Sequence, residues 1–235
     1  MQSLTVTIPA GENSMALHTA WPTAGAGPFA AIVVIMHAGG IDTFVHTMLS
    51  RLVDAGYFVA APDLYHRLDA RQGNGMDRLR QLRDPEVELD VTATLDYLRK
   101  HPQVDAKRMG IMGFCMGARI AYLMAARSPH LRACVAFYGG NIMVPWGDGP
   151  SPFSLSNKLH CPLLFHFGAD DTNPSPEDMT KLDQELSRLG KAHEFYSYPG
   201  AGHAFLNFTN PDRYRETASR ISWPKTLEFL GRQLD

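Results

Sequence analysis

Hydrophobic and polar positions alternate at the start of the chain, in LTVTI and again in MALHTAW, with Gly11-Glu12-Asn13 between the two runs. Period-two alternation around a short polar turn predicts an antiparallel hairpin. The rhythm then changes. Residues 30–37, AAIVVIMH, are an almost unbroken apolar run rich in β-branched side chains, as in a parallel strand covered on both faces. Over residues 43–55, Phe44, Met48, Leu49, Leu52 and Val53 fall on one helical face, Gly56 closes the helix, and YFVAAPDL begins another strand. Strand, helix and strand in that order imply a right-handed crossover.

Residues 66–83 interrupt the alternation. They carry Gly73 and Gly75, no apolar run, and five arginines (Arg67, Arg71, Arg78, Arg80, Arg83) against Asp69 and Asp77. The stretch reads as a solvated surface excursion whose positive surplus would draw anions toward a neighbouring site. Beyond it the pattern predicts a helix over 85–100, a strand over 108–114, a helix over 115–127 and a strand over 133–138. Residues 141–158 read as irregular. CPLLFHFG is another buried strand, 176–189 a helix, 193–197 a strand, and 211–234 a closing helical stretch around Trp223-Pro224. The expectation is a single α/β domain over residues 1–235 with a mostly parallel sheet.

Composition narrows the function. At 235 residues and 45% apolar content the chain can bury its own core without disulfides or metals. A formal charge of −2 leaves no basic field for a nucleic acid or an anionic membrane. The longest apolar run, residues 29–36, is too short to span a bilayer, and the first residues lack the basic and apolar regions of a secretory leader. Three widely spaced cysteines, Cys115, Cys134 and Cys161, fit a reducing, cytoplasmic setting. Neither G-x-G-x-x-G nor G-x-x-x-x-G-K-[ST] follows a strand, so no cofactor is expected.

Cys134 and Cys161 sit in apolar strand sequence and read as core, whereas Cys115 lies in Gly113-Phe114-Cys115-Met116-Gly117, where a strand gives way to a helix. Small residues two before and two after a nucleophile permit the sharp turn that lifts its side chain above a sheet. A helix N-terminus beneath the sulfur also favours its reactive anionic form. Alone the motif is short enough to be a packed cysteine in a turn. Two further strand ends strengthen it: HFGADD with Asp170 and Asp171, and GAGHAF with His203. Nucleophile, acid and histidine in that order match the α/β-hydrolase triad, each at the carboxyl end of a strand. Either neighbouring aspartate can orient His203.

GFCMGA, HFGADD, GAGHAF and APDLYHR together, in order and spacing, resemble the dienelactone hydrolase family of α/β-hydrolases over almost the whole chain. The resemblance implies an α/β-hydrolase fold and hydrolysis of a small ester or lactone. It implies Cys115 as nucleophile, Asp171 as acid, His203 as base, and the backbone N–H groups of Ala38 and Met116 as the oxyanion hole. It places Tyr65 and Arg67, in DLYHR, among substrate-binding residues, with Arg67 gripping a substrate carboxylate. The chain departs from the family's pattern at His37, where a glutamate is usual, and at Asn207, where a second carboxylate-binding arginine is usual. A substrate with at most one carboxylate is therefore expected, with His37 and Asn207 lining its site. Two competing readings are a non-catalytic small-molecule binding protein on the same fold and a metal site built from Cys115, His37 and His203. A monomer or homodimer is expected.

Overall fold

The structure, a computed structural model, describes residues 1–69 and 73–235, so Arg71 of the excursion lies outside the described residues. β1 (Gln2–Ala10) and β2 (Asn13–Trp21) form the expected hairpin. The remaining strands are β3 (Phe29–Ile35), β4 (Phe58–Pro62), β5 (Val104–Phe114), β6 (Leu131–Phe137), β7 (Leu163–Gly168) and β8 (His193–Tyr198). They join one sheet in the order β1-β2-β4-β3-β5-β6-β7-β8, with β2 antiparallel to β4 and every later pairing parallel. β3 lies in the middle, and its residues after Phe29 are buried on both faces, which is why its sequence does not alternate. Each of its fully buried Val or Ile side chains contributes roughly 1.5–3 kcal/mol.

The helices are α1 (Thr43–Asp54), α2 (Gly75–Leu79), α3 (Asp84–Lys100), α4 (Met116–Arg127), α5 (Pro176–Arg188) and α6 (Glu216–Leu234). α1 starts where the Asp42 side chain accepts the Val45 N–H, and it buries the apolar face read from the sequence. α1 meets α6 through Arg51 lying 4.1 Å from the Trp223 ring, while α3 packs on α4. Three departures from expectation bear on the fold. β5 begins at Val104, because Val104 still pairs with Phe29 of β3. The excursion contains α2, a single turn closed by reciprocal Asn74 and Asp77 caps. α6 begins at Glu216 and not near 211, because the Arg215 N–H is committed to the Phe205 carbonyl at 2.9 Å. Residues 141–158 are irregular apart from a 3₁₀ turn at Phe153–Lys158.

β7 carries a core histidine. His166 is fully buried, hydrogen-bonded to the Tyr198 hydroxyl at 2.8 Å and the Thr226 hydroxyl at 3.0 Å, and burial lowers its pKa to about 3. The unfolded chain takes up this proton near pH 6.5 and the native state does not. Stability is thus lost as pH falls from about 6.5 toward 3, at about 1.4 kcal/mol per unit from this group. Urea unfolding at pH 6.5 and 4.5 should show a smaller acid loss in His166→Gln than in the parent. An identical loss would show that His166 does not contribute to the acid lability.

Candidate active site

The strand order reverses between β3 and β5: β4 lies to one side of β3, and the chain continues from β5 toward β8 on the other. A parallel sheet opens a crevice outside the carboxyl ends of its strands at such a point. Ala38 follows β3 there, and Cys115 follows β5. Cys115 adopts φ 56°, ψ −119°, a strained conformation costing about 1–3 kcal/mol, held by its surroundings. The flanking glycines show why. A Cβ on Gly113 would stand 2.0 Å from the Gly117 carbonyl oxygen, and one on Gly117 would stand 2.4 Å from the Ile35 carbonyl oxygen. Only glycine lets α4 start this close to β3 and β5.

A cleft of about 520 Å³ opens at this point. Cys115, Asp171 and His203 all line it, as do Ala38 and Met116, so the five residues expected to carry chemistry come together. His203 Nδ1 stands 3.0 Å from Asp171 Oδ2. Asp171 is buried, and its other oxygen accepts the Asn173 N–H at 2.9 Å, which locks the carboxylate toward the ring. Asp170 is exposed, and its backbone N–H goes to the Ala201 carbonyl, so of the two aspartates it is Asp171 that meets His203. Burial lowers the His203 pKa, but the Asp171 hydrogen bond and the interaction with Cys115 outweigh it, and the pKa is pushed up to about 10.

His37 lines the cleft as expected. Its Nε2 lies 2.9 Å from Asp42 Oδ2 and its Nδ1 accepts the Gly39 N–H at 3.3 Å. Both nitrogens are thus committed to the turn that carries Ala38. Burial would raise the Asp42 pKa, yet the hydrogen bonds from His37 and the Val45 N–H hold it below the usual carboxylate value. Asn207 also lines the cleft, with its Oδ1 accepting the Thr209 N–H at 3.0 Å and the Thr209 hydroxyl at 2.7 Å. Among the described residues no three His, Cys, Asp or Glu side chains converge on a metal position, so Cys115, His37 and His203 do not form the ligand set of the competing reading.

Two expectations need correction. Arg67 does not reach the cleft: its guanidinium forms a two-point pair with buried Asp90 of α3 at 2.6 and 2.7 Å. A partner so distant in sequence was invisible to motif spacing. Among the described residues, the guanidinium that does line the cleft is Arg213, exposed at its mouth. Tyr65 is likewise not a lining residue. Its hydroxyl lies 3.1 Å from the Ala38 carbonyl, 3.3 Å from the Gly75 carbonyl and 3.5 Å from Met116 Sδ. It ties together Ala38 and Met116, the two residues expected to supply the oxyanion hole. Tyr65→Phe should lower kcat roughly tenfold with little change in KM, a fraction of the loss from deleting an oxyanion donor outright. Steady-state kinetics on one ester decide it, and a KM effect alone would return Tyr65 to substrate binding.

The sequence reading also missed residues that shape the cleft. Tyr138 has φ 44°, packs 5.4 Å from the His203 ring, and its buried hydroxyl has no partner among the described residues. Trp146 and Asn173 line the cleft from loops without regular structure. Only the Gly139-Gly140 pair after a strand hinted that this wall would turn inward.

A nucleophile on a sharp strand-to-helix turn, with an acid and a histidine after the next strands, defines an α/β-hydrolase. The chain belongs to the dienelactone hydrolase family, whose model matches residues 16–234. A protein of Yersinia pestis assigned as a carboxymethylenebutenolidase is 30% identical over 231 residues, covering 95% of this chain and 86% of its own. A Bradyrhizobium protein assigned as a 2-oxo-3-(5-oxofuran-2-ylidene)propanoate lactonase is 31% identical over 210 residues, covering 87% of this chain and 84% of its own. A crystal structure from Klebsiella pneumoniae assigned as a dienelactone hydrolase superposes with TM-score 0.89 at 28% identity over 98% of both chains. This chain is a dienelactone hydrolase-like hydrolase acting on ester or lactone bonds. No helix among the described residues is long and apolar enough to cross a membrane.

Proposed function

We propose that the chain hydrolyses a small ester or lactone through Cys115, with His203 as proton carrier, Asp171 as its orienting acid and a covalent acyl-enzyme between the two half-reactions. The observation that carries this reading is the buried Asp171 carboxylate 3.0 Å from His203 Nδ1, with the same imidazole interacting with Cys115. Cys115 Sγ gives its proton to His203 Nε2 and attacks the carbonyl carbon, and the new oxyanion faces the N–H groups of Ala38 and Met116. Collapse breaks the ester C–O bond, and the departing alkoxide takes the proton from Nε2. Water then gives a proton to Nε2 and adds to the thioester carbon, the C–S bond breaks, and the departing sulfur recovers the proton from Nε2, releasing the acid and restoring the thiol.

The chemistry needs no cofactor, and the cleft has the size of a small-molecule site. With Arg67 held by Asp90, one cation among the described residues at the mouth, Arg213, is left to meet an anionic arm, which favours substrates with at most one carboxylate. Three free cysteines fit a reducing, cytoplasmic setting. Brief incubation with p-nitrophenyl acetate followed by intact-mass analysis should show a single acetyl adduct, mapped to Cys115 by peptide mass. Turnover without that adduct would overturn the covalent route.

A further inference from the structure

Arg119 lies one helical turn beyond Cys115 on α4 and is fully buried, a position arginine takes only when paired. Its Nη1 and Nη2 meet Asp84 Oδ1 and Oδ2 at 2.6 and 2.9 Å, while Nε donates to the Asn141 carbonyl at 3.1 Å and Nη2 to the Val144 carbonyl at 2.7 Å. Asp84 reaches the same segment. Its Oδ2 accepts the Trp146 N–H at 2.8 Å, and its own N–H donates to the Trp146 carbonyl at 2.8 Å. The Trp146 ring lies over the guanidinium, 3.9 Å from its carbon. The contacts of this buried ion pair therefore converge on residues 141–146, and Trp146 lines the cleft with Met76, Leu79 and Met116. Because Arg119 and Cys115 share one helix start, the indole is fixed in the same frame as the sulfur.

We propose that Trp146 is the wall of a subsite for a flat, apolar group of the ester, and that the Arg119–Asp84 pair is the positioning device that holds this wall relative to Cys115. An indole with its backbone pinned at N–H and carbonyl and its ring stacked on a guanidinium cannot swing away, so it offers a rigid stacking surface. This inference rests on the reading of Cys115 as the nucleophile.

The test compares kcat/KM for methyl phenylacetate against methyl acetate, and for benzyl acetate against ethyl acetate, in the parent and its variants. Intrinsic reactivity cancels when each ratio is compared between variants. The parent should favour the aryl ester in one of the pairs, and Trp146→Ala should lose roughly tenfold of that preference. The double variant Asp84→Asn/Arg119→Met removes both charges together and leaves neither buried alone. It should lose a similar factor, and Trp146→Ala added to it should lose no more. An unchanged aryl preference in the folded double variant, or losses that add, would overturn the proposal.

A second measurement needs no turnover and covers a double variant that fails to fold. In a Trp21→Phe/Trp223→Phe background, Arg119→Lys keeps the charge but cannot form the two-point fork, so Trp146 fluorescence should become more easily quenched by acrylamide. Unchanged quenching would overturn the clamp. Absence of an acyl adduct on parental Cys115 would instead overturn the hydrolase mechanism, and the two failures are read separately.

Discussion

Cys115→Ala is expected to cut ester hydrolysis by about 10³-fold or more, and His203→Ala by a similar factor. In the proposed mechanism the two act on one bond-making step, with His203 taking the proton that Cys115 must lose. The double variant should therefore be scarcely worse than either alone, because without one partner the other has nothing left to do. A titration by NMR gives a second readout of the same coupling. Cys115 is among the causes that push His203 up to about 10, so Cys115→Ala should bring that pKa down, with Asp171 still holding it above the value burial alone would give. Robust turnover by Cys115→Ala would move the nucleophile elsewhere, and an unmoved His203 titration would separate the two side chains.

Asp171→Asn should cost nearly as much, on the order of 10²- to 10⁴-fold in kcat, whereas Asp170→Asn should change it only a few-fold. Asp171 Oδ2 holds the Nδ1 proton of His203 and so presents Nε2 toward the sulfur, and an amide in its place can offer N–H and favour the wrong tautomer. The carboxylate also supplies the charge that stabilises imidazolium. Asp170 is exposed and contacts neither His203 nor Cys115 through its side chain among the described hydrogen bonds. Parallel kcat and KM values for the two asparagine variants distinguish them, and a greater loss from Asp170→Asn would shift the acid by one residue.

Much of the site was legible because its members are bound to local events. An elbow needs small residues at fixed offsets, and an acid or histidine loop follows directly from a strand, so Gly113, Gly117, the Asp170-Asp171 pair and His203 announce themselves by spacing. The turn after β3 was legible for the same reason, as Ala38 comes just after an apolar run. What escaped were pairings between distant segments. Arg67 carries a motif that implies carboxylate binding, yet Asp90 on α3 satisfies it. Tyr65 lies two residues earlier and turns its hydroxyl toward Ala38 and Met116. Neither choice leaves a trace in local periodicity.

The sequence by itself determined the order of the main strands and helices and singled out Cys115 and His203 as candidates at strand ends, because backbone preference and helix or strand period act over a few residues. Only the tertiary structure decided which aspartate faces His203, that His37 is held by Asp42, that Arg67 is spent on Asp90, and that Trp146 rests on Arg119. Those outcomes depend on which polar groups meet when the sheet brings distant loops to one end. A buried charge or hydrogen-bonding group takes the partner that folding places within reach, and desolvation makes that choice costly to leave unmade.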